Sequence, residues 1–294
     1  MEQIGNVSLP SILHNAEKGE RLLIAVLYGG MGGITSAGML HALAEIGISP
    51  REYPNISVVG VSVGAANMLG YCAGRTGETP EVYARVAQHL LKRSWFDRAQ
   101  IFDVLGVEYL MEILTQELGT NFLDGCKGDA FAVVTRVRDA SCHIHSLQEA
   151  SCPFTLTQAS MCMPVLLQGT VEVAGEQYID GACSLSIAQM IRRTRARNIL
   201  VLGSRPLDGV VTGEPQLPTF ILRQIAAAYP REVRKKSVYT DTTLADGIER
   251  LKRVTSLRWC ALFPKGGVPW NEASVDALHT AFAWHHNATR QLCS

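Results

Sequence analysis

Two short, continuous apolar runs constrain the fold of this chain more than any other feature of its sequence. The segments Leu22 to Tyr28 and Ile56 to Val61 are apolar at almost every position, and glycine-rich sequence follows each of them. A strand that is apolar on both faces is typical of a parallel sheet covered by helices. Helical patterns follow over 34–46 and 63–73. The first 75 residues therefore predict parallel strands joined by right-handed helical crossovers.

The rest of the chain continues this alternation of strands and helices. Further strands are predicted over 130–137, 141–147, 198–203 and 259–263, with a hairpin over 169–179 that turns at Ala174-Gly175. Further helices are predicted from Thr79 onward and over 101–118, 186–194, 217–255 and 272–291, the last with Asn271 as N-cap. The chain has 294 residues, of which 47% are hydrophobic, and no linker or repeat divides it. We expect one α/β domain with helical additions.

Composition excludes several classes of protein. Lys and Arg together number 27, as do Asp and Glu, so the formal net charge is zero. Nucleic-acid binders usually carry a strong basic excess, so we expect no nucleic-acid partner. The N-terminus lacks the basic segment and long apolar run of a secretory leader, and no apolar stretch is long enough to cross a bilayer. The expected location is cytoplasmic, with peripheral membrane contact or non-Sec export as alternatives.

One region departs from the overall charge balance. Residues 192–258 contain 14 basic and 6 acidic residues, a local net charge of +8. Its basic residues include Arg192, Arg193, Arg195, Arg197, Arg231, Arg234, Lys235 and Lys236. Each basic side chain near an anionic membrane surface gains roughly 1 kcal/mol. This basic tract predicts either peripheral contact with an anionic membrane surface or an ordinary solvated helix face.

The cysteines and histidines indicate neither a disulfide framework nor a metal site. The eight cysteines are scattered, and no Cys-x-x-Cys pair occurs. A chain of this length does not need disulfides, so we expect buried thiols in a reducing compartment. His143 and His145 share one face of a predicted strand, but they lack third and fourth ligands nearby. We therefore expect no metal and no cofactor.

A candidate nucleophile stands where the second apolar run passes into a helix. The segment from Gly60 to Gly64, with Ser62 at its centre, fits the pattern G-x-S-x-G. A sharp turn there lifts the serine hydroxyl clear of the sheet, and the flanking glycines, Gly60 and Gly64, remove side chains that would collide. The helix N-terminus adds amide N–H groups and a partial positive charge. Ser62 is predicted to be a nucleophile, with a packed serine in a tight turn as the alternative.

A glycine-rich loop follows the first apolar run. It fits neither the dinucleotide-binding spacing nor the Walker pattern. Its N–H groups are predicted to form an oxyanion hole, with a turn selected for tight packing as the alternative. Parallel strands bring this loop to the same sheet edge as Ser62. The candidate oxyanion residues are Gly29, Gly30, Met31, Gly32 and Gly33.

A carboxylate ends a later predicted strand. Asp180 precedes Gly181 and Ala182. Asp before Gly is common in turns, so Asp180 is either a turn residue or a catalytic group. What distinguishes these two interpretations is the order of three motifs along the chain: the glycine loop, then G-x-S-x-G, then Asp-Gly-Ala.

That order resembles the patatin-like phospholipase family, most closely its bacterial single-domain members. The resemblance covers residues 22–205 and includes Ala159-Ser160 with Pro164, and Arg205-Pro206. It implies a three-layer α/β/α sandwich with a mainly parallel central sheet, and cleavage of acyl esters of lipids. It also implies a catalytic dyad of Ser62 and Asp180 without a histidine. The expected organisation is an N-terminal extension (1–20), a catalytic domain (21–205) and a helical and strand extension (206–294) packed on the same domain.

The glycine loop departs from the family pattern. The family loop usually has the order Gly-Gly-Gly-x-Arg/Lys-Gly, whereas Tyr28 stands here at the first glycine and Gly32 at the basic position. Backbone donors survive these changes, but a positive charge near the oxyanion does not. A catalytically weakened lipid-binding or scaffold protein of the same fold is therefore an alternative.

The hypothesis for the mechanism assigns each motif one role. Ser62 attacks an ester carbonyl, Asp180 accepts the proton, and N–H groups around Gly30 and Met31 stabilise the oxyanion. An acyl channel is expected from the apolar residues Phe102, Leu105, Tyr109, Leu110, Leu166 and Leu167, unless they are ordinary core. Two other chemistries stay open. One is an acyltransferase, and the other is an α/β-hydrolase esterase with a Ser-Asp-His triad drawing on His279, His285 or His286.

Overall fold

The computed structural model describes residues 1–92, 106–163, 169–208, 229–233, 240–269 and 271–293. Its strands are β1 (Glu2–Gly5), β2 (Leu22–Val26), β3 (Ile56–Val61), β4 (Asp129–Arg136), β5 (Cys142–Ser146), β6 (Val171–Val173), β7 (Glu176–Asp180), β8 (Asn198–Leu202) and β9 (Arg258–Phe263). Its α-helices are α1 (Leu9–Glu17), α2 (Ile34–Glu45), α3 (Val63–Ala73), α4 (Thr79–Leu91), α5 (Val107–Leu118), α6 (Pro153–Met161), α7 (Ile187–Thr194), α8 (Thr240–Arg253) and α9 (Val275–Cys293).

The described strands form one sheet with a parallel centre. Its order is β1-β9-β8-β2-β3-β4-β7-β6, and β5 pairs with β4. The pairs β9–β8, β8–β2, β2–β3 and β3–β4 are parallel, and the outer pairs are antiparallel. Val26 pairs with Gly60, so the turns after β2 and β3 lie side by side at one edge. The prediction of parallel strands at the centre of the sheet is confirmed, and antiparallel pairs extend this centre on both sides.

Helices cover both faces of this sheet. Leu22, Ile24 and Val26 pack into one core with α1 to α6 and α9. The alternate residues of the same run, Leu23 and Ala25, pack into a second core with α7 and α8. Side chains of a strand point alternately to opposite faces, so a strand buried on both faces must be apolar throughout. This explains the continuous apolar run and gives the three layers of an α/β/α sandwich.

Most of the predicted elements occur within one or two residues of their expected bounds. The hairpin turns where it was expected, since Ala174 and Gly175 have positive φ values of 52° and 80°. The predicted helix over 101–118 is observed over Val107–Leu118, and the one over 217–255 over residues 231–233 and Thr240–Arg253. Residues 101–105, 217–228 and 234–239 of these two ranges lie outside the described residues. Several named positions lie outside the described residues: Phe102, Leu105, Pro164, Leu166, Leu167, Arg234, Lys235 and Lys236.

The start of the last helix was predicted wrongly. The helix begins at Val275, and Ser274 is its cap, because the Ser274 hydroxyl accepts the N–H of Ala277 at 3.3 Å. Asn271 is therefore not the N-cap. The intervening turn is organised by Glu272, whose carboxylate accepts the N–H groups of Ala273 and Ser274. The turn capped by Glu272 therefore lies between Asn271 and the first residue of the helix.

Two N-terminal elements have no counterpart among the predictions. Helix α1 buries Leu9, Ile12, Leu13 and Ala16, which have helical spacing. Strand β1 pairs antiparallel with β9, so the first and last of the described strands are neighbours in the sheet. Its residues alternate between half-buried and exposed, so the strand has no continuous apolar run.

The eight cysteines are free thiols. Cys72, Cys162, Cys183 and Cys260 are buried, whereas Cys152 is exposed. No helix among the described residues is long and apolar enough to span a membrane.

Candidate active site

Ser62 occupies a strained turn between β3 and α3. Its backbone has φ 55° and ψ −132°, a left-handed conformation that a residue with a Cβ rarely adopts. Ser62 is the N-cap of α3 and is 7% exposed. The strand–turn–helix context expected of a nucleophile at this position is thus present.

The flanking glycines make this turn possible by close approach of the backbone. A Cβ at Gly60 would lie 2.4 Å from Ala65 Cα, and a Cβ at Gly64 would lie 2.2 Å from the Val26 carbonyl oxygen. Both distances are far below van der Waals contact. Helix α3 therefore sits directly against the end of β2, which brings Ser62 beside the loop that follows β2.

Ser160 holds the backbone of the nucleophile. Its hydroxyl accepts the N–H of Ser62 at 3.0 Å and donates to the Val133 carbonyl at 2.7 Å. Ser160 is fully buried on α6. It connects β4, α6 and the nucleophile turn, and the residue pattern alone did not single it out for this contact.

Asp180 is the last residue of β7 and lies completely buried. Its Oδ1 accepts the N–H of Ala182 at 2.8 Å, its own N–H donates to the Cys162 carbonyl, and its carbonyl accepts the Thr135 hydroxyl. Within the described residues, Oδ2 has no hydrogen-bond partner at standard geometry. One carboxylate oxygen is therefore anchored by the backbone, whereas the other is not. Gly181 and Ala182 form the short turn that follows.

Burial raises the pKa of Asp180 to about 7, since desolvation disfavours the charged carboxylate. The Ser62 hydroxyl and the Ala182 N–H favour the charged form and counteract part of this effect. A carboxyl group with a pKa near neutrality is a much stronger base than an ordinary aspartate. Burial of the Cys162 thiol, together with the charge of Asp180, raises the pKa of Cys162 to about 12.

The predicted oxyanion residues separate into two groups. Gly29, Gly30 and Met31 line the same pocket as Ser62 and Asp180, whereas Gly32 and Gly33 do not line it. The segment Gly30–Gly33 is a single 3₁₀ turn that continues into α2. The N–H of Gly32 donates to the Gly29 carbonyl at 3.0 Å, so it is already used.

Gly32 is also the position where the family pattern has Arg or Lys. A Cβ at Gly32 would lie 2.7 Å from the Val268 carbonyl oxygen. The segment that follows β9 thus occupies the space that a side chain at position 32 would need.

The pocket is mostly apolar. Besides the groups already named, its lining comes from the loop after β2, α3, α4, α5 and the end of α6: Tyr28, Val63, Tyr83, Val86, Val107, Leu110, Met161 and Met163. Of the predicted channel residues, Leu110 lines this pocket, whereas Tyr109 stacks on His89 with ring centroids 4.0 Å apart. Met161, Met163 and Val86 were not predicted, because no motif marks them.

No histidine among the described residues lines the pocket that holds Ser62. His279 lies 3.7 Å from Glu81, His285 bonds to the Ala281 carbonyl, and His286 bonds to Glu45. His143 and His145 stack on each other on β5, as their spacing predicted. The structure thus offers no support for a Ser-Asp-His triad.

The chain is similar to one known protein family and, at low sequence identity, to solved structures. The sequence profile described as Patatin-like phospholipase matches residues 29–191. Structures similar to the chain include the crystal structure of VipD from Legionella pneumophila, with 13% sequence identity and a TM-score of 0.45. That alignment covers 93% of this chain and 66% of the VipD chain. None of the curated protein sequences matches the chain.

The matched segment contains the glycine loop, the nucleophile turn and Asp180 in the observed sheet. It amounts to more than half of the residues. The chain therefore belongs to the patatin-like phospholipase family, whose members are in general lipid acyl hydrolases.

Proposed function

We propose that this protein is a serine hydrolase that cleaves acyl esters of lipids, in the manner of a phospholipase A or lysophospholipase, with Ser62 and Asp180 as its catalytic dyad. The observation that carries the proposal is the shared pocket. Ser62, at a strained helix N-terminus, and a completely buried carboxyl group face one apolar cavity. Such a cavity suits an acyl chain, and the two polar groups suit the ester bond.

Acylation begins when Ser62 Oγ attacks the ester carbonyl carbon and its proton passes to Asp180 Oδ2. The carbonyl oxygen becomes negatively charged, and the N–H groups of Gly30 and Met31, two residues of the same pocket, donate to it. The tetrahedral intermediate collapses, the bond to the alcohol breaks, and the alcohol leaves with the proton from Asp180. Ser62 then carries the acyl group.

Deacylation repeats the same steps with water. Asp180, now ionised, takes a proton from a water molecule, whose oxygen attacks the acyl carbon. The second tetrahedral intermediate releases the fatty acid, and Ser62 Oγ regains the proton. The role of base falls to Asp180 because its pKa lies near 7.

Purified variants test the dyad directly. Ser62→Ala and Asp180→Asn should each reduce hydrolysis of phospholipid and p-nitrophenyl esters to near background, and Ser62→Ala should abolish labelling by a fluorophosphonate probe. Ser146→Ala and Asp124→Asn, which change the same residue types outside the pocket, serve as matched controls. If both dyad variants kept wild-type activity while folded, the mechanism would be wrong.

The missing basic residue at Gly32 favours one competing function, a scaffold that binds lipid without turnover. The two functions differ in the reactivity of Ser62. A hydrolase is labelled at Ser62 by the fluorophosphonate and releases fatty acid from a lipid mixture, whereas the Ser62→Ala protein does not. A folded protein that extracts lipid but stays unlabelled would be a scaffold.

A further inference from the structure

We propose that His41, Glu45 and His286 form a binding site for a divalent metal ion of the zinc class, between helices α2 and α9. Their ligand atoms, two imidazole nitrogens and a carboxylate oxygen, all lie within 4.8 Å of one another. None of the three residues lines the pocket of Ser62. The proposal is therefore independent of the hydrolase activity.

The geometry arises from one helical repeat and one helix contact. His41 and Glu45 are four residues apart on α2 and share a face of that helix. The His41 Nε2 atom lies 3.6 Å from Glu45 Oε1, and His286 Nε2 on α9 lies 2.7 Å from Glu45 Oε2. Ligand atoms around tetrahedral zinc are roughly 3.3 Å apart, given metal–ligand distances of about 2.0–2.1 Å. Small side-chain rotations would thus bring the three ligands onto one ion.

Thr76 orients the first histidine. The Nδ1 atom of His41 lies 3.0 Å from the Thr76 hydroxyl oxygen. When Nδ1–H donates to this oxygen, the lone pair of Nε2 is directed toward Glu45. Histidines that ligate metals almost always donate their other N–H in this way, which sets the tautomer and the ring orientation.

The surroundings restrict the two imidazoles further. The ring of His41 contacts that of Phe282, with centroids 5.5 Å apart, and that of His286, with centroids 4.8 Å apart. The side chains of His41 and His286 are 23% and 19% exposed, and that of Glu45 is 39% exposed. The ligands are held in place yet reach solvent, so water can complete a four-coordinate shell. Two imidazoles, one carboxylate and one water form a donor set that suits zinc.

The positive charge of Arg290 opposes binding of a cation, so the direction in which metal affinity changes when Arg290 is replaced tests the proposal. Its Nη1 lies 2.9 Å from Glu45 Oε2 and is half-exposed on α9. An ion bound through Glu45 Oε1 leaves Oε2 to Arg290, but the two positive charges repel. Neutralising Arg290 should therefore strengthen metal binding. If the cluster served only as an ion pair with Glu45, the same change would weaken the cluster.

The test measures binding of metal alone to protein that has been stripped with a chelator. Isothermal titration with ZnCl₂ should give one site per chain, and CoCl₂ should give the visible absorption of a four-coordinate site. His41→Ala and His286→Ala should abolish this site. Thr76→Val should weaken it by about 10-fold or more, and Arg290→Gln should tighten it. Ser62→Ala should bind zinc like the wild type, which separates this test from that of the hydrolase.

His14→Ala is the matched control. His14 lies 3.7 Å from Glu17 on α1, an exposed His–Glu pair for which no third ligand is found among the described residues. This variant should keep wild-type affinity. Circular dichroism and thermal melts without metal identify any variant that fails to fold, and Arg290→Gln tests the site with all three ligands intact. Zinc binding that survives both histidine variants, or that Arg290→Gln weakens, would overturn the proposal.

Discussion

The burial of Asp180 determines how the proposed reaction should depend on pH. The base must be ionised, and burial holds its pKa at about 7. We expect kcat/KM for an uncharged ester to fall about tenfold for each pH unit below that pKa and to level off above it. A pH–rate profile measured with a p-nitrophenyl ester checks this. A profile flat down to about pH 5 would mean that Asp180 keeps an ordinary pKa or is not the base.

The same carboxyl group should make the fold less stable at higher pH. The folded state holds this proton up to about pH 7, whereas the unfolded chain releases it near the ordinary value of 3.8. Between these values the folded state binds more protons, so stability falls as the pH rises through this window. Asp180→Asn cannot ionise, so it should be more stable than wild type at pH 8 by at most about 4 kcal/mol.

Urea unfolding of the two proteins at pH 8 and pH 5 measures this difference. The gain should shrink at the lower pH, because the wild-type carboxyl group is then protonated in the folded state. Asp124→Asn, an exposed aspartate, should show no such pH-dependent gain. Equal stability of Asp180→Asn and wild type at pH 8 would show that the buried charge carries no penalty.

Ser160 should act as a positioning residue for the nucleophile. Ser160→Ala leaves the Ser62 N–H without its acceptor at 3.0 Å, and a lost buried hydrogen bond costs about 1–3 kcal/mol. We expect kcat to fall about tenfold with little change in KM, since a loss of roughly 1.4 kcal/mol corresponds to that factor. Thr157→Val, another buried change on α6, is the control. A rise in KM at unchanged kcat would contradict the positioning role.

At the residue scale, the local pattern singled out the candidate catalytic groups, but it did not reveal how Ser160 contacts the backbone of Ser62. Ser62 follows from G-x-S-x-G at a strand end, because the turn itself demands glycines on both sides. Ser160 lies 98 residues away along the chain, and only the packing of α6 against β4 brings its hydroxyl to the Ser62 amide. A serine in an apolar helix carries no local mark of such a contact.

At the scale of elements, the segment after β9 packs directly against the 3₁₀ turn that leads into α2. Because the Val268 carbonyl oxygen lies only 2.7 Å from where a Cβ at position 32 would be, Gly32→Arg should not restore a charge beside the oxyanion. We expect it to lower stability by about 1–3 kcal/mol and to leave hydrolysis no faster. Thermal melts and ester hydrolysis check this. Gly266→Ala, where a Cβ would meet open space, should be neutral. Faster hydrolysis by Gly32→Arg would refute the steric argument.

Helix α5 should set the length of the acyl chain. Leu110 lines the pocket, so Leu110→Phe should shorten the space available to the substrate. The preference for long over short p-nitrophenyl esters should drop roughly 10-fold or more, since one methylene in a pocket is worth about 1–3 kcal/mol. Leu114→Phe, one turn further along α5 and outside this pocket, should leave the ratio unchanged. An unchanged ratio for Leu110→Phe would place the acyl chain elsewhere.

The strands that are buried on both faces were predicted from the sequence, whereas the half-exposed edge strand β1 was missed. Strands β2 and β3 are buried at every position, so their apolar runs were unambiguous. Strand β1 lies at the sheet edge with alternating exposure, and its place depends on β9, more than 250 residues later. The start of α9 was misplaced because both Asn271 and Ser274 are suitable caps in sequence. Only the structure shows that Ser274 accepts the N–H of Ala277.

At the scale of the whole molecule, the formal net charge of zero is the sum of a basic tract over residues 192–258 and an acidic remainder of the chain. The basic tract starts in α7. Arg192 on this helix, and Arg195 and Arg197 just after it, are exposed. Arg193 is already engaged, by Glu149 at 3.6 Å and by the face of Phe131 at 5.0 Å. Not every cation of the tract is therefore available to a membrane. A test must reverse the charge of the exposed arginines that have no such partner described above.

We expect the protein to float with vesicles that contain anionic phosphatidylserine and to stay behind with neutral phosphatidylcholine vesicles. Each exposed arginine contributes about 1 kcal/mol near such a surface, so reversal to glutamate at Arg192, Arg195 and Arg197 together should weaken flotation by about 100-fold or more. The control reverses three exposed cations outside the tract, at Lys18, Lys127 and Arg138, with the same change in net charge. If both triple variants lost binding equally, overall charge would be responsible; if wild type bound neutral vesicles as well, the basic tract would have no part in membrane contact.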